Sequence, residues 1–442
     1  MPRLRWTLLS PILLLVTPGV SQSAVGAATG SGPPHSSACT IDWTNNDGNQ
    51  LWSDEGNWSP TSGPARTPDS ADFACVSTGT TGTNGVIIRN TSATVAGIDV
   101  EGSYHCLTIE STGSLTLSGV GDVSTVECMT VGGMLTVDKG VMLGLVGTYV
   151  AAIAGGSVAD YGTITMSHKL CLYVTSTTGG TLNVESTGVF RLWTNDAFSA
   201  CGFSNPGTIT NSGEILKTGV SSTLPYSWIT VPFNNMGKVI GSTGTILVDS
   251  KGLDKGATYG SPGARGVIEL ASSRTLAGHV AVEGTHVVVT GGWTTSVTAD
   301  TLDVVGDVTW EGAHFLGKGD IIVHPAGTLD VVTPPSTMSN VKNHGHLKVC
   351  ARCSLVVDSL VQTAHATLLI SITGSGSYKY SYILAIFGLL GGRLELVNSF
   401  TPKPGETFTI VSGNQVSGKF SDKSVGSYDV TYAKNKVILV AD

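Results

Sequence analysis

The sequence predicts an all-β fold: a parallel β-helix or β-solenoid with an N-terminal Trp-rich cap and a small C-terminal β capping domain. Three observations predict it. The first is a recurring phrase, Gly–(Thr/Ser)–aliphatic–x–aliphatic. It stands at Gly113-Ser-Leu-Thr-Leu117, Gly162-Thr-Ile-Thr-Met166, Gly180-Thr-Leu-Asn-Val184, Gly244-Thr-Ile-Leu-Val248 and Gly327-Thr-Leu-Asp-Val331. Looser copies begin at Gly133, Gly284 and Gly345. Each is a turn residue followed by a short alternating strand, and one such strand cannot bury its own apolar face, so copies must stack. The second is composition. In 442 residues there are 57 glycines and 13% charged residues beside 41% hydrophobic ones, which describes a turn-rich, strand-rich chain and excludes a disordered one. The third is that no stretch carries helical periodicity.

Residues 1–27 read as an export signal. Arg3 and Arg5 form its charged start, Leu8 to Val16 its apolar stretch, and Val25-Gly26-Ala27 offers small residues for cleavage, with Ser21-Gln22-Ser23-Ala24 as an alternative cut. The apolar stretch is too short to span a bilayer, so no transmembrane segment is expected after cleavage. Residues 28–38 form a Gly/Ser/Pro linker. Residues 39–75 form the first cap, where Trp43, Trp52 and Trp58 are expected to cover the open solenoid end.

Residues 76–373 are the solenoid. Gly162 to Gly180 and Gly327 to Gly345 both span 18 residues, which fits one coil. Gly244 to Gly284 spans 40, which fits two coils with one degenerate copy, or a side loop. Asn-x-Gly recurs at Asn205, Asn211, Asn235 and Asn343. Asn and Gly both tolerate positive φ, so these units are expected to turn corners, with Asn side chains bonding from coil to coil. The long interval Gly207 to Gly284 is where a specific surface is expected. Residues 374–442 change character, through Ile383-Leu-Ala-Ile-Phe387 to Val437-Ile-Leu-Val440, and are expected to close the other end.

The net charge is −8 and no Lys/Arg cluster is visible, which excludes a nucleic-acid partner. The eight cysteines of an exported chain read as disulfides. Their simplest pairing is by neighbours: Cys39 with Cys75, Cys106 with Cys128, Cys171 with Cys201, and Cys350 with Cys353. Eight cysteines allow about 105 connectivities, so the pairing stays open at this level.

Three groups of residues carry possible chemistry. His344, His346, Cys350 and Cys353 are acceptable metal ligands by type. The competing reading is a disulfide beside an ordinary corner, and it is preferred, so no metal or other cofactor is expected. Asp300, Asp303, Asp307, Glu311 and Asp320 form the richest acidic stretch. A β-helix glycosidase or lyase needs converging carboxylates. Gly306 argues for a turn between Asp303 and Asp307, and acids at strand ends are the preferred reading. Trp43, Trp52, Trp58, Trp193, Trp228, Trp293 and Trp310 could stack on sugar rings, although plugging of the solenoid end by the first three and packing within coils by the others are preferred. No catalytic residue is assigned, and the chain is expected not to be an enzyme.

Several segments resemble a known group. Trp43…Leu51-Trp52-Ser-Asp-Glu-Gly-Asn57-Trp58-Ser-Pro60…Asp72, Val308-Thr-Trp310-Glu-Gly312…Gly327-Thr-Leu329 and Leu389-Leu-Gly391…Phe400-Thr-Pro402…Gly418-Lys-Phe420 resemble secreted bacterial β-helix repeat proteins. The last segment is similar to the end of autotransporter-like adhesin passengers. The resemblance implies a secreted or surface-associated, adhesin-like scaffold whose partner is a polysaccharide or another cell-surface polymer. No membrane barrel follows the passenger-end-like segment, so release or non-covalent retention is expected. The rival readings are a carbohydrate-active β-helix enzyme and a metal-binding module.

Overall fold

Val86-Ile-Ile88, Leu107-Thr-Ile109 and Met129-Thr-Val131 each point two side chains inward and one outward. They lie side by side and parallel, Val86 opposite Leu107 and Leu107 opposite Met129. This parallel stacking, once per coil, runs through the described coils between the two ends. A computed structural model describes residues 39–442 apart from 77–84, 103–104, 147–150, 168–169, 174–178, 194–196, 200, 203–204, 220–225, 285, 335 and 377–378. The expected export signal, 1–27, and linker, 28–38, lie outside the described residues.

Three stacks of strands wrap one core. The first stack is a 16-stranded parallel sheet running from Val86–Ile88 to Asp422–Ser424. The second begins with Ser92–Val95 and the third with Phe73–Val76 and Gly97–Val100. Inward positions stack like on like. Leu115, Leu135, Val158, Leu182, Ile209 and Phe233 form one ladder, all buried. Burying each such side chain is worth at most about 1.5–3 kcal/mol, so stability is spread along the ladders.

This register corrects the reading of the repeat. The phrase marks a strand start, and a coil has several. Gly113, Gly133 and Gly180 open strands of the second stack, Gly162 one of the third, and Gly327 and Gly345 strands of the first. Gly327 to Gly345 is therefore one coil, with Thr328 opposite His346. Gly162 to Gly180 is not a coil, because Thr163 pairs with Met142 and Val189. The interval from Gly244 holds a degenerate copy at Gly266, since Thr245 pairs with Val267.

The Asn-x-Gly corners also differ from expectation in their physics. Asn211, Asn235 and Asn343 are fully buried at strand ends, whereas Asn205 is exposed. Asn235 Oδ1 accepts from Gly237 N at 3.2 Å, and Asn343 Oδ1 from Gly345 N at 3.1 Å. Asn211 Nδ2 donates to Asn235 Oδ1 at 2.8 Å, a bond between coils. None of these residues has positive φ. Gly345 is needed because a Cβ there would collide with the carbonyl oxygen of His324 in the coil below. Close stacking selects the glycine, not a left-handed turn.

From His314–Val323 onward the second and third stacks fuse. His314–Val323 pairs with Trp293–Thr295 of the second stack and Thr301–Val304 of the third. Ser336–Asn343, Ser354–Gln362, Tyr382–Leu390 and Thr407–Gly418 follow as single long strands. The coil changes from three faces to two.

Both ends are plugged by aromatic rings. Ile41–Trp43 pairs antiparallel with Trp58–Pro60 and parallel with Phe73–Val76, and Leu51 bridges to Ile87 of the first stack. Trp43, Trp52 and Trp58 are buried, with centroids 4.8 and 4.7 Å apart in edge-on contacts. The Pro68–Asp72 loop is held by Asp72, which accepts from Arg66, Thr40 Oγ1 and Asp69 N. At the far end Phe408 meets Tyr380, Phe400 and Tyr428. The antiparallel closure there is made by Thr407–Ser412, Tyr428–Ala433 and Lys436–Ala441. Parallel coils run past residue 373, through Arg393–Asn398 to Asp422–Ser424, so the cap is smaller than the 374–442 span. The reason is that its apolar strands keep the stacking register of the preceding coils.

Candidate functional site

Strand alternation decides which side chains a coil shows. In Tyr226–Ile229 of the first stack, Ser227 and Ile229 face the core, while Tyr226 and Trp228 face outward, 39% and 43% exposed. Beneath them Lys217 Nζ, fully buried, donates to Ser227 Oγ at 2.9 Å. Trp193 is exposed at the end of Val189–Leu192. The other described tryptophans, Trp43, Trp52, Trp58, Trp293 and Trp310, are buried. Packing within coils therefore holds for Trp293 and Trp310 and fails for Trp193 and Trp228, which sit at outward positions. Tyr226 and Trp228 lie within the long Gly207 to Gly284 interval.

Next to this aromatic pair the face becomes acidic. Trp228 stands opposite Leu247, and Leu247 opposite Glu269. Burial raises the Glu269 carboxyl above its ordinary value, and the like charges of Glu311 and Asp249 raise it further. Asp249 accepts from Ser272 Oγ at 2.7 Å. Further along, Asp330 stands opposite Lys348. Burial raises its carboxyl, and Lys348 and His286 partly reverse that. Chemically this is a flat strip of aromatic surface leading into carboxylates.

All eight cysteines are paired, as Cys39–Cys75, Cys106–Cys128, Cys171–Cys201 and Cys350–Cys353. The metal reading of His344, His346, Cys350 and Cys353 is overturned, because the Cys350–Cys353 bond removes both thiolates as ligands. His346 faces outward and His344 is half-buried at a corner. Of the acidic stretch, Asp300 is a buried turn residue accepting from the amides of Gly278, Ser296 and Val297. Burial pushes its carboxyl up, and the three amides bring it below its ordinary value. Asp303 belongs to the third stack and Asp307 to the first, so the turn at Gly306 separates them. Asp320 pairs with Lys342 at 2.6 Å.

A shallow groove of about 640 Å³ follows the corner Ser111–Ser114, Gly132–Met134 and Gly155–Ser157. A second, of about 500 Å³, lies between Trp52, Pro68–Ser70 and Thr91–Thr94. Neither is lined by paired carboxylates.

Sequence reasoning missed a buried polar knot. Arg274 donates Nε to Asp254 Oδ2 and a terminal nitrogen to Asp254 Oδ1, both at 2.7 Å. Tyr259 Oη donates to Asp254 Oδ1 at 2.6 Å and Trp293 Nε1 to Oδ2 at 3.1 Å. Arg274 also donates to the carbonyls of Ser250 and Phe233. Burial opposes the guanidinium charge, and Tyr259 and Asp254 outweigh it. The available signal was phase: in Arg274-Thr-Leu-Ala277, arginine shares its parity with the inward Leu276.

No protein-family model matches this sequence, and no curated protein matches it. Among the described residues, no helix is long and apolar enough to cross a membrane.

Proposed function

We propose that the protein is an extracellular, non-catalytic, adhesin-like scaffold that lays the outer surface of its first stack along a sugar polymer. The carrying observation is the exposed pair Tyr226 and Trp228 on a flat parallel face, in a chain that buries most of its described tryptophans. Exposed rings cost hydrophobic burial, and they suit recognition surfaces because they offer large, stiff contact area. Strands in a stack repeat every 4.7–4.9 Å or so, close to the length of one sugar unit. A chain running along the solenoid axis meets one coil per unit. Asp249, Glu269 and Glu311 make the adjoining strip acidic, which favours neutral or amino sugars and disfavours uronic acids. The four disulfides support an oxidising compartment outside the cytoplasm.

The test is a glycan array probed with the tag-free chain and with a Tyr226→Ala/Trp228→Ala double variant. Binding to neutral or amino-sugar polymers that disappears in the variant supports the reading. Binding that survives in the variant, or no binding at all, removes it. Release of shortened sugar products from any bound polymer would replace it with the enzyme reading.

A further inference from the structure

We propose that His279, Asp303 and His324 form a binding site for a divalent transition-metal cation of the zinc, nickel or copper kind. The three residues come from successive coils of the third stack. His279 opens His279–Val282, Asp303 lies in Thr301–Val304, and His324 follows Val323 directly. His279 pairs with Thr301, and Ala281 with Asp303, so Asp303 lies diagonally beside His279 on the outer surface. Val304 pairs with Val323, which brings His324 alongside from the next coil.

Each imidazole lies close to the carboxylate, although the three ligand atoms do not all stand within 4.8 Å of one another until the rings turn. His324 Nε2 is 2.9 Å from Asp303 Oδ1, and His279 Nδ1 is 3.5 Å from Asp303 Oδ2. Metal–ligand bonds of about 2.0–2.2 Å in a tetrahedral shell set neighbouring ligand atoms about 3.3 Å apart. The two observed separations bracket that value. The rings address opposite oxygens of the carboxylate, so an ion held by all three must draw the imidazoles together. Their side chains are 78% and 41% exposed, which leaves room for that rotation. Thr301 Oγ1 donates to Asp303 Oδ2 at 2.8 Å and touches His279 Nδ1 at 2.8 Å. It bridges the His279 ring to the carboxylate, and an ion bound between them would take the place of the His279 contact.

Charge does not oppose the ion. Lys342, two coils along from Asp303 in the same column, is paired with Asp320. Two imidazoles and one carboxylate select zinc, nickel or copper, while calcium and magnesium require shells of oxygen. The bound ion would tie three coils together at the surface, so it would stabilise the folded chain as well as occupy it.

The test uses the tag-free, full-length chain stripped with chelator and titrated calorimetrically with zinc chloride and nickel chloride. One ion per chain is expected, with a thermal midpoint that rises with metal concentration, and no response to calcium. His279→Ala, His324→Ala and Asp303→Asn should each weaken binding at least about tenfold, the effect of losing one ligand-level contact. His346→Ala, an exposed histidine on the first stack, should leave it unchanged. Absence of heat with both metals overturns the proposal, as does undiminished binding in the His279→Ala/His324→Ala double variant. Copper bound to the unaltered chain gives an independent reading that does not depend on any variant folding. Its electron paramagnetic resonance spectrum should show two nitrogen ligands, and fewer than two overturns the assignment.

Discussion

The three-faced coils before His314 and the two-faced coils after it solve one packing problem in two ways. In the two-faced region, opposing sheets bring Leu347, Leu355, Leu360, Leu368, Ile370 and Ile383 together, all fully buried. Facing sheets pack about 10 Å apart, a gap that aliphatic side chains fill unaided. A coil with three faces encloses more space. There the core takes Phe190, Phe198, Tyr259, Trp293 and Trp310, together with the polar groups Lys217, Asp254 and Arg274. Width admits rings and polar side chains, and each buried polar group must then find partners. Polar groups that end strands occur in both regions: Asp160, Asn211 and Asn235 in the three-faced coils, Asn343 and Gln362 in the two-faced ones, Gln362 donating to the Gly391 carbonyl at 3.0 Å.

The sharpest way to break this contrast is to remove one member of the polar knot. Asp254→Ala leaves Arg274 charged at 0% side-chain exposure with no counter-ion. Breaking a buried pair in this way costs about 3–5 kcal/mol. Chemical denaturation should show that loss, and Arg274→Met with Asp254→Leu together should recover the part due to the unpaired charge, while Tyr259 Oη and Trp293 Nε1 remain without their acceptor. If the double variant is as damaged as the single one, the knot specifies the coil shape and does more than fill it.

The aliphatic counterpart is Leu368→Ala in the two-faced region. Leu368 is stacked between Leu347 and Leu394 and is fully buried. The cost should be about 2–4 kcal/mol, from lost burial plus the cavity left behind. A loss below about 1 kcal/mol would mean that the flat core collapses around the gap.

How far these contrasts were legible in the sequence depends on their range. Strands were legible because alternation is local: each copy of the Gly–Thr–aliphatic phrase became a strand. The caps were legible through clustered tryptophans at one end. Register was not, because coil length varies. Leu170 pairs with Phe198 but Tyr226 with Thr245, and the turns that absorb the difference leave no periodic trace. The Asp254–Arg274 knot and the His279–Asp303–His324 cluster are contacts between coils and were hidden for that reason. Fusion of two stacks was hidden too. Its local sign is the paired outward residues Ile386 and Phe387, which break strict alternation inside Tyr382–Leu390.

Asp160 gives a subtler test of the wide region. It ends Ser157–Asp160 where Asn211 and Asn235 end the equivalent strands, and its Oδ1 accepts from Gly162 N at 3.1 Å. Burial pushes its carboxyl from 3.8 up to about 7, although the amides of Gly162 and Ile164 pull it back in part. A raised folded-state pKa means that the folded chain holds the proton more tightly than the unfolded chain. Stability from this group is therefore lost as pH rises from about 4 to about 7 and then stays level. Asp160→Asn should remove the loss, gaining about 1–3 kcal/mol at neutral pH. The advantage should fade towards pH 4. A gain that is constant across pH would show that the carboxylate is not the cause.

The smallest expected effect on stability is the one that separates recognition from packing. Trp310 is fully buried, its Nε1 donating to the Ala313 carbonyl at 2.7 Å and its ring 5.9 Å from that of Trp293. Trp310→Ala should cost about 3–5 kcal/mol, as for other buried aromatic truncations. Trp228 belongs to the same stack but at the opposite phase of its strand, so Trp228→Ala should change stability by less than about 0.5 kcal/mol. Both variants can be melted side by side and then compared for polymer binding. If Trp228→Ala is as unstable as Trp310→Ala, the exposed ring is a packing element and its strip is not a binding face. If it melts like the parent and loses the polymer, the two tryptophans divide the roles of core and contact between the two faces of one sheet.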